Sequence, residues 1–435
     1  MSNAGNNLHI LQILAYARLL LESEIIFSVS QLVPCIRCLY TLSVDGDTLS
    51  ETGLYRSAIF PAGNIAGFCF IIHYMLESIK EKVLSGARLN RADALALFES
   101  EDLFTVGRLA SLSAEKKNGR NVYFIINRHI NPTNICVNRC KFCAFSRSRG
   151  EEGAFELTTD DIISRLEASL SGAAISGGIR EVHIVGGLHP EWPFDHYLGL
   201  LSAIKEKFPS LAIKAFTAVE IDYMSRISGL RLEAVFKALK QSGLDLMPGG
   251  GAEIFAEETR NKLCPEKITG DRWLEIMETA HKAGIKTNAT MLYSHLESLG
   301  DRVDHLLKLR ALQDGTGGFQ AFIPLAYHPV NTEIGGFYSS AIDDLKTIAI
   351  SRLVLDNFQH IKAYWIMLGE KVSQVALLFG ADDLDGTIIE EKITHMAGGR
   401  TSGCMTRDEL VYLIRKAGKI PVERDAFYNH LRVYK

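Results

Sequence analysis

Cys136, Cys140 and Cys143 stand in one short run, Cys136-Val137-Asn138-Arg139-Cys140-Lys141-Phe142-Cys143, with the spacing C-x3-C-x2-C. Three thiolates are one fewer than a fully protein-ligated iron–sulfur cluster takes. Structural zinc is closed by four ligands at similarly tight spacing, and no fourth cysteine or histidine follows just downstream. One iron is therefore left open to something other than protein, which points to a metal centre that does chemistry on a bound molecule. A half zinc site, or thiols close together by accident, is the competing reading. The other five cysteines, Cys35, Cys38, Cys69, Cys264 and Cys404, are scattered and outline no disulfide framework. That usage suits a reducing compartment, with Cys35 and Cys38 as incidental thiols rather than a redox pair.

Such a loop needs a scaffold, and the chain alternates β-rich runs with amphipathic stretches, the mark of parallel βα units. The expected strands are Val122–Ile126, Glu181–Val185, Leu211–Thr217, Leu244–Met247, Lys286–Met291, Gly318–Ile323, Ile361–Met367 and Val375–Phe379. One intervening helix has Thr159 as its N-cap, Asp160 and Asp161 in its first turn, and Ile163, Leu166 and Leu170 at helical spacing. Eight such units close a barrel whose active site gathers at the C-terminal strand ends. The cysteine run follows the first expected strand, which places it at that mouth. The fold class expected is α/β, a (βα)8 TIM-like barrel with N- and C-terminal helical additions.

Several strand ends carry polar or glycine residues. Gly186 and Gly187 follow the second strand and let a backbone approach a ligand closely. Met247-Pro248-Gly249-Gly250-Gly251-Ala252-Glu253-Ile254 follows the fourth, a loop whose amides suit an anion, with Glu253 and Arg260 supplying charge nearby; a simple tight turn reads equally well. Asn288 and Thr290 share one face of the fifth strand, as barrel-lumen residues or as satisfied core polar groups.

The cysteine run, with the aromatic Phe142 before its third cysteine, resembles the signature of the radical S-adenosylmethionine (SAM) superfamily. The resemblance implies a 4Fe–4S cluster on Cys136, Cys140 and Cys143, with SAM chelating the open iron. It also implies SAM contacts from Phe142, from Gly186 and Gly187, from Glu220 at the third strand end, and from Asn288 and Thr290. Leu188 stands where a glutamate is usual after the two glycines, so backbone carbonyls would serve there. Glu220 reads either as a ribose ligand or as a solvated helix-start carboxylate.

Five segments together are more specific: 183–190, 248–254, 287–293, 317–329 and 390–398. They resemble the aminofutalosine synthase family of menaquinone biosynthesis, from about Met75 to the C-terminus. The dehypoxanthine futalosine cyclase and the tyrosine-using synthase of deazaflavin biosynthesis are its relatives. The resemblance implies that a 5′-deoxyadenosyl radical adds to the vinyl carbon of 3-[(1-carboxyvinyl)oxy]benzoate. Aryl migration and loss of the carboxylate then give 6-amino-6-deoxyfutalosine, with methionine released and SAM consumed. Substrate or catalytic roles fall to His189, Glu253, Arg260 and His328, with Arg260 expected to hold a carboxylate. An external low-potential electron donor is implied as partner. The cyclase is the runner-up, and an iron–sulfur electron carrier or a zinc-stabilised binding protein are the alternatives from other classes.

Composition agrees with a soluble cytoplasmic enzyme: 47% hydrophobic and 23% charged residues over 435, with a net charge of −4 and no basic block. Nucleic acid is not expected as a partner, nor is a membrane, since apolar runs of spanning length are absent from the main body. Residues 1–74 differ in texture, with three Arg, no Lys and five Asp or Glu. Leu8–Val29 and Ser57–Tyr74 are apolar but interrupted, without the start and cleavage site of a signal peptide. We expect a non-catalytic extension over 1–74, a helical lead-in over 75–120, and the barrel with a C-terminal helical segment over 121–435.

Overall fold

Seven parallel strands form one curved sheet in the order β2-β3-β4-β5-β6-β7-β8. The structure is a computed structural model and describes residues 65–171 and 178–435. Its strands are β1 (Asn121–Ile125), β2 (Asn127–Ile130), β3 (Glu181–Ile184), β4 (Ala212–Ala215), β5 (Leu246–Met247), β6 (Lys286–Tyr293), β7 (Phe319–Ala326), β8 (His360–Ile361), β9 (Asp383–Gly386), β10 (Ile420–Arg424) and β11 (His430–Val433). Helices follow the sheet strands and present one apolar stripe inward. The helix Leu232–Gln241, for instance, buries Leu232, Val235, Phe236 and Leu239 at helical spacing. Ile184, Ile213, Ala215 and Ala289 are fully buried on the helix-facing side of the sheet.

The stave that closes the barrel is not the one expected. Val375–Phe379 lies across the end of the helix Glu370–Ala376 and the turn after it, and Ile361–Met367 runs from β8 into the helix Trp365–Leu368. The gap between β8 and β2 is spanned instead by residues 383–389: Asp383 bridges Lys362 and Ile389 bridges Arg128, both parallel. This stretch reads Asp383-Leu384-Asp385-Gly386-Thr387-Ile388-Ile389, too polar at its start to pass for a buried strand. Ion pairs carry it: Asp383 accepts from Arg424 at 2.9 Å and Asp385 from Lys362 at 2.7 Å, while Asp382 pairs with Arg352.

The first expected strand is also displaced. β1 belongs to a second sheet, β11-β10-β1-β9, and the barrel proper starts one residue later at Asn127-Arg128-His129-Ile130. The C-terminal addition is accordingly not helical alone, because the helix Arg407–Lys416 leads into β10 and β11. The helix expected to be capped by Thr159 begins there, but Thr158 makes the cap. Its hydroxyl accepts from Asp161 N at 3.1 Å while the Asp161 carboxylate accepts from Thr158 N at 2.9 Å, a reciprocal capping box.

Two compact units divide the chain, Met1–Tyr74 and Met75–Lys435. Cys35, Cys38 and Leu8–Val29 lie outside the described residues, which enter the first unit only at the helix Ile65–Ser85. Among the described residues no helix is long and apolar enough to cross a membrane.

Candidate active site

The loop that leaves β2 carries the three cysteines and is tied down along its length. Asn134 anchors it: its side-chain amide donates to Gly153 O and its carbonyl oxygen Oδ1 accepts from Phe155 N, both at 2.9 Å. Cys136 N donates to Arg147 O at 3.1 Å, Lys141 N to Leu263 O at 3.0 Å, and Cys143 N to Cys140 O at 2.9 Å. Across the strand exit, Gly187 N donates to Thr133 O at 2.9 Å and Val137 N to Leu188 O at 3.0 Å. A Cβ on Gly187 would stand 2.1 Å from Ile135 O, so this glycine lets the β3 exit lie against the cysteine loop.

Gly187→Ala is therefore expected to push the cysteine loop off its seat. Iron and sulfide retained after anaerobic reconstitution should fall several-fold. Gly199→Ala is the control, since a Cβ there meets nothing within 4 Å.

A cavity of about 330 Å³ opens at this mouth. It is lined by Cys136, Cys140 and Cys143 together with Phe142, Gly186, Gly187, Glu220, Glu253, Asn288, Thr290 and His328. All three thiols are free and half-buried. Burial pushes the Cys136 thiol up and the Cys140 thiol up to about 12, so a metal cation is what such sulfurs need in order to ionise. Among the described residues no three His, Cys, Asp or Glu side chains converge closely enough to share a single metal ion. A polynuclear cluster would not ask them to, since each thiolate would take a different iron. The residues present thus fit the cluster that the spacing implies.

Around the thiols the polar groups are arranged with some left over. Glu220 accepts from Gly186 N at 3.2 Å and Thr217 N at 2.7 Å, capping the helix Ala218–Ser228. It is a buried helix-start carboxylate rather than a solvated one, and burial pushes it up to about 7 against the pull of those amides. The Thr290 hydroxyl donates to Gly249 O at 2.7 Å and steadies the glycine turn. Gly249 itself has no room for a side chain, since a Cβ would meet Ala289 C at 2.7 Å. Asn131 Oδ1, Asn288 Oδ1, His183 Nε2 and His328 Nδ1 are buried without a hydrogen-bond partner, and all four residues line the cavity. Buried polar atoms are nearly always satisfied, so this concentration marks the seat of a polar ligand.

Phe142 packs beside the cluster formed by Leu263, Cys264, Leu292 and Tyr327, and the Lys267 ammonium sits 4.8 Å from its ring centroid. Lys267 also donates to Glu253 at 2.5 Å. Burial opposes its charge, but Glu253 and the nearby cysteines outweigh burial and hold the ammonium firmly protonated. Glu253 is therefore already neutralised where it faces the cavity.

Two expected site residues lie elsewhere. Arg260 does not line the cavity: it is buried, with Nε donating to Ile268 O at 2.7 Å, Nη1 to Ala252 O at 2.6 Å and Ile254 O at 3.2 Å, and Nη2 to Gly251 O at 2.9 Å. A guanidinium has five N–H donors, four of them taken by carbonyls of its own chain, and it lies outside the cavity lining, so it is not placed to hold a substrate carboxylate there. His189 is also buried, stacked on Trp192 at 4.5 Å, and its Nδ1 accepts from Glu191 N at 3.1 Å. It props the loop after β3 and does not reach the cavity.

The sequence reading also missed the charged interior of the barrel. His129, Glu181, His183, Lys214, Lys362 and Asp385 all line the cavity from within or beside the strands. The signal was present in Glu181-Val182-His183-Ile184 and Ala212-Ile213-Lys214-Ala215. In a barrel jacketed by helices the outer face must be apolar, so the polar phase of each strand points inward.

Residues 130–309 match the radical SAM superfamily and residues 316–435 match the CofH/MqnC C-terminal region. The aminodeoxyfutalosine synthase of Thermus thermophilus is 47% identical over 364 residues, covering 82% of this chain and 96% of that protein. The Streptomyces coelicolor aminodeoxyfutalosine synthase is 42% identical over 370 residues, 82% of this chain and 94% of its own. The cyclic dehypoxanthine futalosine synthase of the same organism is 36% identical over 364 residues, covering 82% and 90%. Among solved structures, an FeFe-hydrogenase maturase superposes with a TM-score of 0.64 at 18% identity, over 82% of this chain and 77% of that one. Methylornithine synthase gives 0.59 at 18% identity, over 78% and 95%. These two are alike in fold.

Proposed function

The chain belongs to the radical SAM superfamily and, within it, to the aminodeoxyfutalosine synthase family, and we propose that its barrel mouth joins SAM to 3-[(1-carboxyvinyl)oxy]benzoate. The observation that carries this reading is the convergence of three cysteines, two glycine turns and four unsatisfied polar atoms on one cavity. Cys136, Cys140 and Cys143 would hold a 4Fe–4S cluster, which would supply the electron that cleaves SAM, drawn from an external low-potential donor. The products are 6-amino-6-deoxyfutalosine and methionine, with the substrate carboxylate leaving after aryl migration as the CO2 radical anion, which carries off the electron that entered.

The chain's own residues bind, align and exclude. Gly186, Gly187 and Gly249 let the strand exits close against the cysteine loop and β6, which leaves their backbone as the cavity wall against which a nucleoside would lie. Glu220 is held by two amides facing the same space, and Asn288 and Asn131 offer acceptors to an amine or hydroxyl. Leu188, Leu292, Leu325 and Phe142 line the remaining wall and keep water from a reactive carbon. Holding the vinyl carbon against the 5′ carbon of SAM is the main contribution, since alignment alone is worth about 7–11 kcal/mol at its best.

The test is the fate of the adenosyl carbon. Anaerobic protein given reductant, the vinyl ether and SAM labelled at the adenosyl 5′ carbon should yield labelled 6-amino-6-deoxyfutalosine and an equal amount of methionine. Free 5′-deoxyadenosine as the sole adenosyl product would overturn the synthase reading. Its formation only with dehypoxanthine futalosine would identify the cyclase instead.

A further inference from the structure

The aromatic substrate carries two carboxylates, and Arg260, the cation expected to hold one, is spent on backbone carbonyls. Other hydrogen-bonding groups, two of them ammonium ions, line the same cavity. His129 on β2, His183 on β3 and Lys214 on β4 occupy one rung, His129 opposite His183 and His183 opposite Lys214. His183 Nδ1 lies 3.2 Å from His129 Nε2. Lys214 pairs with Glu181 at 2.6 Å, and Lys362 pairs with Asp385 at 2.7 Å. All six side chains line the cavity, within or beside the strands and below the cysteine loop. Arg424 and Asp383 form a third pair behind them at 2.9 Å.

Stability does not account for this floor. Buried ion pairs usually gain less than well-packed apolar residues of similar size, and the ordinary filling of a small barrel is branched aliphatic. Three cations and three carboxylates cancel, so the floor is neutral yet rich in donors. Each ammonium has three N–H groups, and Lys214 and Lys362 each use one within the protein. His183 Nε2 is buried with no partner. Burial, then His129 and Lys214, hold this imidazole well below its ordinary range, so it stands neutral, and in the tautomer whose Nδ1 accepts from His129 Nε2 its one N–H is at Nε2.

We propose that His183, Lys214 and Lys362 form the subsite for the ring carboxylate of the aromatic substrate. The inference rests on the synthase reading: the vinyl carbon belongs beside the cysteine loop, and the ring carboxylate is at the other end of the molecule. A carboxylate is costly to bury unless it is met by hydrogen-bond donors, and this floor supplies them without breaking an existing ion pair. The subsite would select benzoates over plain phenyl ethers.

The experiment compares the vinyl ether with its analogue lacking the ring carboxylate, 2-phenoxyacrylate. Binding to the cluster-loaded, SAM-saturated enzyme is measured by anaerobic calorimetry without reductant, and product formation is measured separately with reductant. Wild type should bind the benzoate roughly 10- to 100-fold more tightly, the worth of a charge-assisted hydrogen bond or two. His183→Gln and Lys214→Gln should lose most of that preference, weakening the benzoate while leaving the analogue unchanged. If Lys214→Gln does not keep its cluster, the paired Lys214→Met/Glu181→Leu variant removes both charges together. Variants that retain the wild-type preference, or weaken both ligands equally, overturn the subsite. Wild type that converts neither compound overturns the synthase reading itself.

Discussion

Alanine at Cys136, Cys140 or Cys143 is expected to abolish SAM cleavage altogether. Each thiolate would take a different iron, so removing one would leave a corner of the cluster without a ligand and the whole assembly should be lost. Anaerobically reconstituted wild-type protein should carry one 4Fe–4S cluster, and each variant should fall to background in iron, sulfide and released methionine. Cys264→Ala is the informative companion. Cys264 is buried against Leu263 and Tyr327, close by the cysteine loop, and it should keep its cluster. Stoichiometric zinc with no iron or sulfide after anaerobic handling would end the cluster assignment.

Arg260→Ala is expected to unfold the site rather than to weaken the substrate. The variant strands the carbonyls of Gly251, Ala252, Ile254 and Ile268, and each unmet buried acceptor costs about 1–3 kcal/mol. A loss of several kcal/mol should lower the melting temperature of the loaded enzyme by roughly 10 °C. The Michaelis constant of the surviving fraction should stay near wild type. Arg260→Lys should not rescue stability, because one ammonium cannot span carbonyls on both sides of the turn. A raised Michaelis constant with unchanged melting would return Arg260 to the role of carboxylate ligand.

The contrast between Arg260 and Lys214 shows what was legible in the chain and what was not. The cysteine spacing is local, so its chemistry could be read without a fold. Strands β3 to β7 were legible because their apolar phase is regular and their helices carry clear stripes. Arg260 looked like a ligand because it is a cation near a glycine-rich turn. Only the backbone path shows that the turn itself takes four of its five donors. Lys214 and His183 were assigned no role from the sequence, because alternation along a strand does not say which phase faces the lumen. Their true direction depends on the helical jacket outside them, a tertiary fact. The closing stave failed for the same reason: Asp383 and Asp385 are good strand residues only where Arg424 and Lys362 await them. The charge partners lie far away in sequence, beyond any local window.

That stave also orders events during synthesis. Residues 383–389 join β8 to β2, and β10, which follows them, pairs with β1 from Asn121 opposite Ile420. At about 5–20 residues per second, the cysteine loop leaves the ribosome on the order of tens of seconds before the stave does. Through that interval the nascent sheet has a seam between its first and last strands, directly beside the three thiols. A chain halted before Asp383 keeps that seam for good, so a late stop codon should be as damaging as an early one.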